Sequence, residues 1–141
     1  MNQNMIQKTL SIASIYEKVG EACCSLRELC SSIEIEKKVC SEMELCLTEA
    51  LNNVIKHAYK EDPDQKIDLT YSLKGKELEI IIEDYGIGRT NLGEPSLIYD
   101  PEDINSLPEG GMGLFIIKNL MDFVSYYRIE GKNTFIMRKN L

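Results

Sequence analysis

The chain is short of positive charge: 16 lysines and arginines face 23 aspartates and glutamates, a net charge of −7 over 141 residues. Such a surface cannot neutralise a phosphate backbone, which argues against direct nucleic-acid binding while permitting basic protein partners. Long apolar runs are missing too. No stretch approaches membrane-spanning length, and Met1–Leu10, with Asn2, Gln3, Asn4, Gln7 and Lys8, holds no secretory signal. A cytoplasmic protein without membrane association is expected. The five cysteines, Cys23, Cys24, Cys30, Cys40 and Cys46, are odd in number and contain no C-x-x-C pair, so neither a disulfide framework nor a zinc site is indicated. No internal repeat, low-complexity tract or linker divides the sequence, and its length suits one domain over residues 1–141.

What is present is periodicity. Tyr16, Val19, Cys23, Leu26, Cys30 and Ile33 recur in steps of three and four, predicting a helix over about 16–32 with Cys23 and Cys30 in the core. A second helix is predicted from about 37 to 60, with Leu47, Leu51, Val54, Ile55 and Ala58 as its buried stripe. Glu49, Asn53, Lys56 and His57 fall on its other side. Ile67, Leu69, Tyr71 and Leu73 alternate with polar residues, and after Lys74-Gly75-Lys76 the alternation resumes at Leu78, Ile80 and Ile82, the pattern of a hairpin. Leu114, Ile117, Leu120, Met121 and Val124 predict a further helix. Tyr127–Ile129 and Thr134–Met137 flank Gly131-Lys132-Asn133 as a closing hairpin, and Met5–Ile12 suits an edge strand. Between Arg89 and Gly110, which holds Pro95, Pro101 and Pro108, no periodicity survives; loops of this length are often lids. The resulting order predicts an α/β (α+β) two-layer sandwich, with helices covering one face of a mainly antiparallel mixed sheet.

Three short runs carry the chemistry. Glu49 and Asn53 lie one helical step of four apart and project side by side. The amide oxygen of Asn53 is a hard ligand suited to magnesium, and the Glu49 carboxylate can accept a proton from an attacking hydroxyl. Asp84 closes an apolar strand where side chains leave the sheet, and its acceptor-only carboxylate suits an exocyclic amine such as that of adenine. Gly86 and Gly88 then permit close approach of a base or sugar. Gly110, Gly111 and Gly113 lead into the Leu114 helix, whose amides and dipole can receive phosphate oxygens. Taken singly, each run also reads as an ordinary solvated helix face, a charged turn or a hinge. Neither G-x-x-x-x-G-K-[ST] nor a strand followed by G-x-G-x-x-G is present, so the two commonest nucleotide motifs are excluded.

In combination and order these runs resemble the GHKL ATPases, the family of gyrase-type topoisomerases and of the ATP-binding domains of sensor histidine kinases. Residues 49–59, Glu-Ala-Leu-Asn-Asn-Val-Ile-Lys-His-Ala-Tyr, look like the family's N box. Asp84-Tyr85-Gly86-Ile87-Gly88 looks like its G1 box and residues 109–114, Glu-Gly-Gly-Met-Gly-Leu, like its G2 box. Within the family, the compact size and the wording of the first and last boxes most resemble the bacterial anti-sigma factor serine kinases.

The resemblance implies the Bergerat-type ATP-binding fold, ATP and Mg2+ as cofactors, and roles position by position. Asn53 would ligate magnesium and Glu49 would act as the catalytic base. Asp84 would contact adenine, Gly86 and Gly88 would shape the base pocket, and Gly111, Met112, Gly113 and Leu114 would form the phosphate end. Residues 89–110 would be the ATP lid, and Thr134 would assist the adenine contact through water. Such kinases transfer the γ-phosphoryl group to a serine of an anti-sigma factor antagonist and, as homodimers, sequester a sigma factor. Two alternatives stand beside this reading: a nucleotide-gated binding module without phosphoryl transfer, and the ATP-binding fragment of a sensor histidine kinase. The second is weakened because the single histidine, His57, lies within the N-box helix and no dimerisation hairpin precedes it.

Overall fold

The computed structural model describes residues 5–88 and 111–141. Five strands, β1 (Met5–Ala13), β2 (Lys66–Lys74), β3 (Glu77–Asp84), β4 (Phe123–Ile129) and β5 (Lys132–Asn140), form one sheet in the order β1-β2-β3-β5-β4. Every neighbouring pair is antiparallel, so the sheet among the described residues has no parallel component. Helices α1 (Val19–Ser32), α2 (Lys37–Asn53) and α3 (Gly111–Leu120) accompany it. The segment expected to be a lid, 89–110, lies outside the described residues.

The layers follow from the two apolar periods. Along β3, Leu78, Ile80 and Ile82 are buried while Glu79, Ile81 and Glu83 are half-buried, which gives the sheet one inner face. Ile67, Leu69 and Tyr71 of β2 and Met137 of β5 extend that face and meet Ala22, Leu26, Met43, Leu47 and Leu51 of the first two helices in one core. The buried Tyr71 hydroxyl donates to the Ala22 carbonyl at 2.8 Å, tying strand to helix through an otherwise polar intrusion. Cys23, Cys30 and Cys46 are buried, and burial pushes the Cys30 and Cys46 thiols up to about 12, which leaves both protonated and inert.

Several boundaries differ from the periodic expectation; Val124, expected on the helix that opens at the glycines, lies in β4, since α3 ends at Leu120. Tyr16, placed on the buried stripe of the first helix, is 45% exposed, because residues Tyr16–Lys18 form a separate 3-10 turn and α1 starts at Val19. The second helix does not run to Lys60. It changes at Asn53 into a π-helical turn, Val54–Ala58, in which the Tyr59 amide donates to the Val54 carbonyl at 2.9 Å. Lys60 and Glu61 then take left-handed φ of 52° and 62°, which stops the helix, and Pro63 follows. The closing hairpin is also tighter than expected: its turn is Glu130-Gly131, both at positive φ, and Lys132 and Asn133 already belong to β5.

Leu47 is fully buried between α2 and the sheet. Leu47→Ala should destabilise the protein by about 3 kcal/mol through lost burial and an unfilled cavity. Urea unfolding checks this as a lowered midpoint at unchanged slope.

Candidate functional site

The N-box helix and the G1 turn are joined by backbone chemistry. A helix leaves its last carbonyls without intrahelical partners, and here the Ala58 carbonyl at the end of the π turn accepts the Ile87 amide at 2.8 Å. Tyr59 adds a second tie: its hydroxyl accepts the Tyr85 amide at 2.8 Å and donates to the Lys66 carbonyl at 2.7 Å. The turn presses so closely on the helix end that a Cβ at Gly86 would lie 2.6 Å from the Ala58 carbonyl carbon and 2.9 Å from the Tyr59 ring. Backbone cannot yield there, so residue 86 has to be glycine.

The G2 side closes in the same way. α3 packs against α2, and a Cβ at Gly113 would stand 2.6 Å from Glu49 Oε1. The carboxylate of Glu49 therefore lies directly against the first turn of α3. Asn53, the last residue of α2, Asp84, Ile87, Leu114 and Asn133 line one narrow slot of about 40 Å³ between the helices and the ends of β3 and β5. A wider, open cleft of about 700 Å³ lies on the far side of the G1 turn, lined by Tyr59, Asp62, Tyr85 and Arg128. Asn53 and Asp84 line the slot and not that cleft, so the slot is where the expected groups collect.

Asp84 is 5% exposed at the end of β3. Its Oδ1 accepts the Gly86 amide at 2.9 Å and the Asn133 Nδ2 at 2.7 Å. Burial raises the carboxyl above the usual carboxylate range, and the Asn133 bond, the Gly86 amide and the Arg128 charge pull it back only in part. The arrangement is a desolvated acceptor at the end of an apolar slot, suited to a hydrogen-bond donor on a flat ligand.

The expected residues thus assemble unevenly. Asn53, Asp84 and Leu114 line the slot, Glu49 and Gly113 meet at its rim, Gly86 seats the turn, and Gly111 and Met112 open α3. Gly88 packs beneath the Arg128 side chain, where a Cβ would meet Cδ at 2.7 Å. Thr134 is the exception. The β3–β5 register sets Asn133 opposite Asp84 and Thr134 opposite Glu83, so by strand alternation Thr134 faces the side of the sheet away from the helices. Asn133, expected in the hairpin turn, lines the slot. Its signal was present in the alternation: Phe135 and Met137 face inward, which makes Asn133 inward and Thr134 outward.

A family model for the histidine kinase-like ATPase domain matches residues 12–139, nearly the whole chain. The chain belongs to this family. Membership of an ATPase family implies ATP as the nucleotide. The serine-protein kinase RsbW of Bacillus mycoides (strain KBAB4) is 36% identical over 102 residues, covering 70% of this chain and 62% of that protein. The protein of the same name from Bacillus anthracis is 36% identical over 101 residues with the same coverage. The chain therefore spans about three-fifths of the length of the curated relatives it matches. Two solved structures share the fold. The RsbU and RsbW domains of Rv1364c from Mycobacterium tuberculosis superpose with a TM-score of 0.70 at 14% identity, over 96% of this chain and 32% of that one. The SiaB-SiaC complex from Pseudomonas aeruginosa gives a TM-score of 0.67 at 11% identity, over 99% and 92%. Among the described residues, no helix is long and apolar enough to cross a membrane.

The raised Asp84 carboxyl has a consequence for stability. A carboxyl whose folded-state pKa exceeds its unfolded value destabilises the fold when ionised, and the penalty disappears as pH falls through the folded pKa. Asp84→Asn should therefore raise the thermal unfolding temperature at neutral pH, with the gain fading on acidification. Unfolding curves of both proteins across the acid range check the sign.

Proposed function

We propose that this chain is an ATP- and magnesium-dependent protein serine kinase of the anti-sigma factor type. Its substrate is a serine of an anti-sigma factor antagonist, and as a cytoplasmic homodimer it also sequesters a sigma factor. One observation carries the reading: Asn53, Asp84 and Leu114 come from three distant stretches and line a single slot, and Glu49 meets Gly113 beside it. The similarity to the RsbW serine-protein kinases supports the phosphoryl acceptor class.

The residues suit the chemistry. Asp84 receives the exocyclic amine of adenine, and the amides of Gly111, Met112, Gly113 and Leu114 at the start of α3 receive phosphate oxygens. The glycine at position 113 leaves room at the Glu49 rim that any side chain would fill. Magnesium, held in part by the Asn53 amide oxygen, supplies charge neutralisation for the phosphates. Glu49 accepts the proton of the substrate serine as its oxygen bonds to the γ-phosphorus and the bond to the ADP oxygen breaks. Positioning and electrostatics dominate such a transfer, since little covalent work falls to the protein.

The test is incubation with Mg-ATP and a cognate antagonist domain, followed by mass spectrometry for phosphoserine. Glu49→Ala should reduce the rate by at least about a hundredfold while ATP still binds, in line with the loss of a general base. Tight ATP binding without phosphoserine, using a verified cognate partner, would instead establish a nucleotide-gated binding module. Asn53→Ala should weaken ATP binding in the presence of magnesium and leave metal-free binding nearly unchanged. Calorimetric titration with and without the metal separates the two, and equal affinities for wild type and variant would remove Asn53 from the metal site.

A further inference from the structure

The slot's carboxylate is held by a chain of polar contacts that starts on the opposite strand of the closing hairpin. Arg128 of β4 donates through Nη1 to the Asn133 Oδ1 at 2.7 Å and to the Gly86 carbonyl at 2.8 Å. The Tyr126 hydroxyl, two residues earlier on the same strand, donates to that Oδ1 at 2.8 Å. With its oxygen so occupied, the Asn133 amide must present Nδ2 in the other direction, and Nδ2 donates to Asp84 Oδ1 at 2.7 Å and to the Gly86 carbonyl at 3.2 Å. Two donors on Oδ1 and an acceptor-only carboxylate at Nδ2 fix the amide in one orientation from both ends. Among the described residues, both hydrogen bonds to Asp84 fall on Oδ1.

Packing argues the same way. The Arg128 stem lies across Gly88, where a Cβ would meet Cδ at 2.7 Å and Nη1 at 3.0 Å. The G1 turn is thus clamped between the end of the N-box helix at Gly86 and the Arg128 side chain at Gly88. Tyr126 stands in the wall shared by the narrow slot and the open cleft beside it.

We infer that Arg128 is a positioning residue for base selection: acting through Asn133 and the Gly86 carbonyl, it aims the Asp84 carboxylate at the amino group of a 6-aminopurine. This rests on the reading of Asp84 as the base contact. A hydrogen bond from a neutral donor to a buried carboxylate contributes roughly a tenfold to hundredfold preference for the ligand that carries the donor. That preference depends on the carboxylate being held in one orientation, and Arg128 supplies the hold from outside the slot.

The experiment compares ATP with purine riboside triphosphate, which lacks only the 6-amino group, in calorimetric titrations of wild type and Arg128→Met. Methionine keeps an unbranched stem over Gly88 and removes the donors. The wild type should prefer ATP by at least about tenfold. In Arg128→Met most of that preference should vanish, through weaker ATP binding, while affinity for the purine analogue stays within about twofold of wild type. A general loosening of the fold would weaken both ligands alike. Tyr126→Phe, which removes the other donor to Asn133 Oδ1, should reduce the preference in the same direction by a smaller factor, and it carries the test should Arg128→Met not fold. Full retention of the preference in the folded variants overturns the role of Arg128. Equal binding of the two ligands by wild type overturns the base contact of Asp84 itself, and the positioning role with it.

Discussion

The site depends on one backbone carbonyl. Ala58 closes the π turn that ends the N-box helix, and its oxygen accepts the Ile87 amide of the G1 turn. That bond, with the Tyr59 hydroxyl on the Tyr85 amide beside it, fixes the end of β3 relative to the helix end. With it, Asn53 and Asp84 are held across a slot whose width is set by main-chain atoms. The π turn is part of the cause: widening the helix by one residue per turn redirects the terminal carbonyls, a device found often at functional sites. Gly86 is the corresponding concession on the other side, since any Cβ would collide with the same carbonyl group.

Around this contact the molecule divides its labour by layer. The core between α1, α2 and the inner sheet face is apolar and supplies stability. Two polar groups buried at the sheet's end, Asp84 and Asn133, are arranged for recognition. The raised carboxyl of Asp84 records the tension between the two demands. A fold selected for stability alone would not bury an ionisable acceptor where its hydrogen bonds compensate burial only in part. Helix α3 contributes from the third direction: it carries Leu114 into the slot wall and brings its first turn against Glu49.

Much of this was legible in the chain because the relevant signals are local. Alternation in residues 67–82 and the three-and-four spacing in 19–30 come from side chains meeting a common apolar layer, so they survive in any register. The pairing of Glu49 with Asn53 needs only a helix. The π turn was not legible: Val54–Ala58 continues the helical pattern of apolar residues, and the turn carries a contact, Ala58 with Ile87, that is distant in sequence. The spacing of Tyr16 fits the α1 stripe, but a 3-10 turn precedes Val19 and sets Tyr16 outward, where its hydroxyl meets Glu61 at 3.0 Å. In β5 the pairing with β3 sets Asn133 on one face with Phe135 and Met137.

By itself, then, the amino-acid order determined the elements, their inward faces and the identity of the groups able to bind a nucleotide, since these depend on composition and period over a few turns. Only the tertiary structure decided which groups share a cavity and how Arg128 and Tyr126 orient the Asn133 amide. Those are matters of register and of backbone contacts between residues far apart in the chain, such as Ala58 with Ile87 and Asn133 with Asp84. No local pattern encodes them, because a shift of one residue in strand pairing would leave every period intact and turn every side chain to the other face.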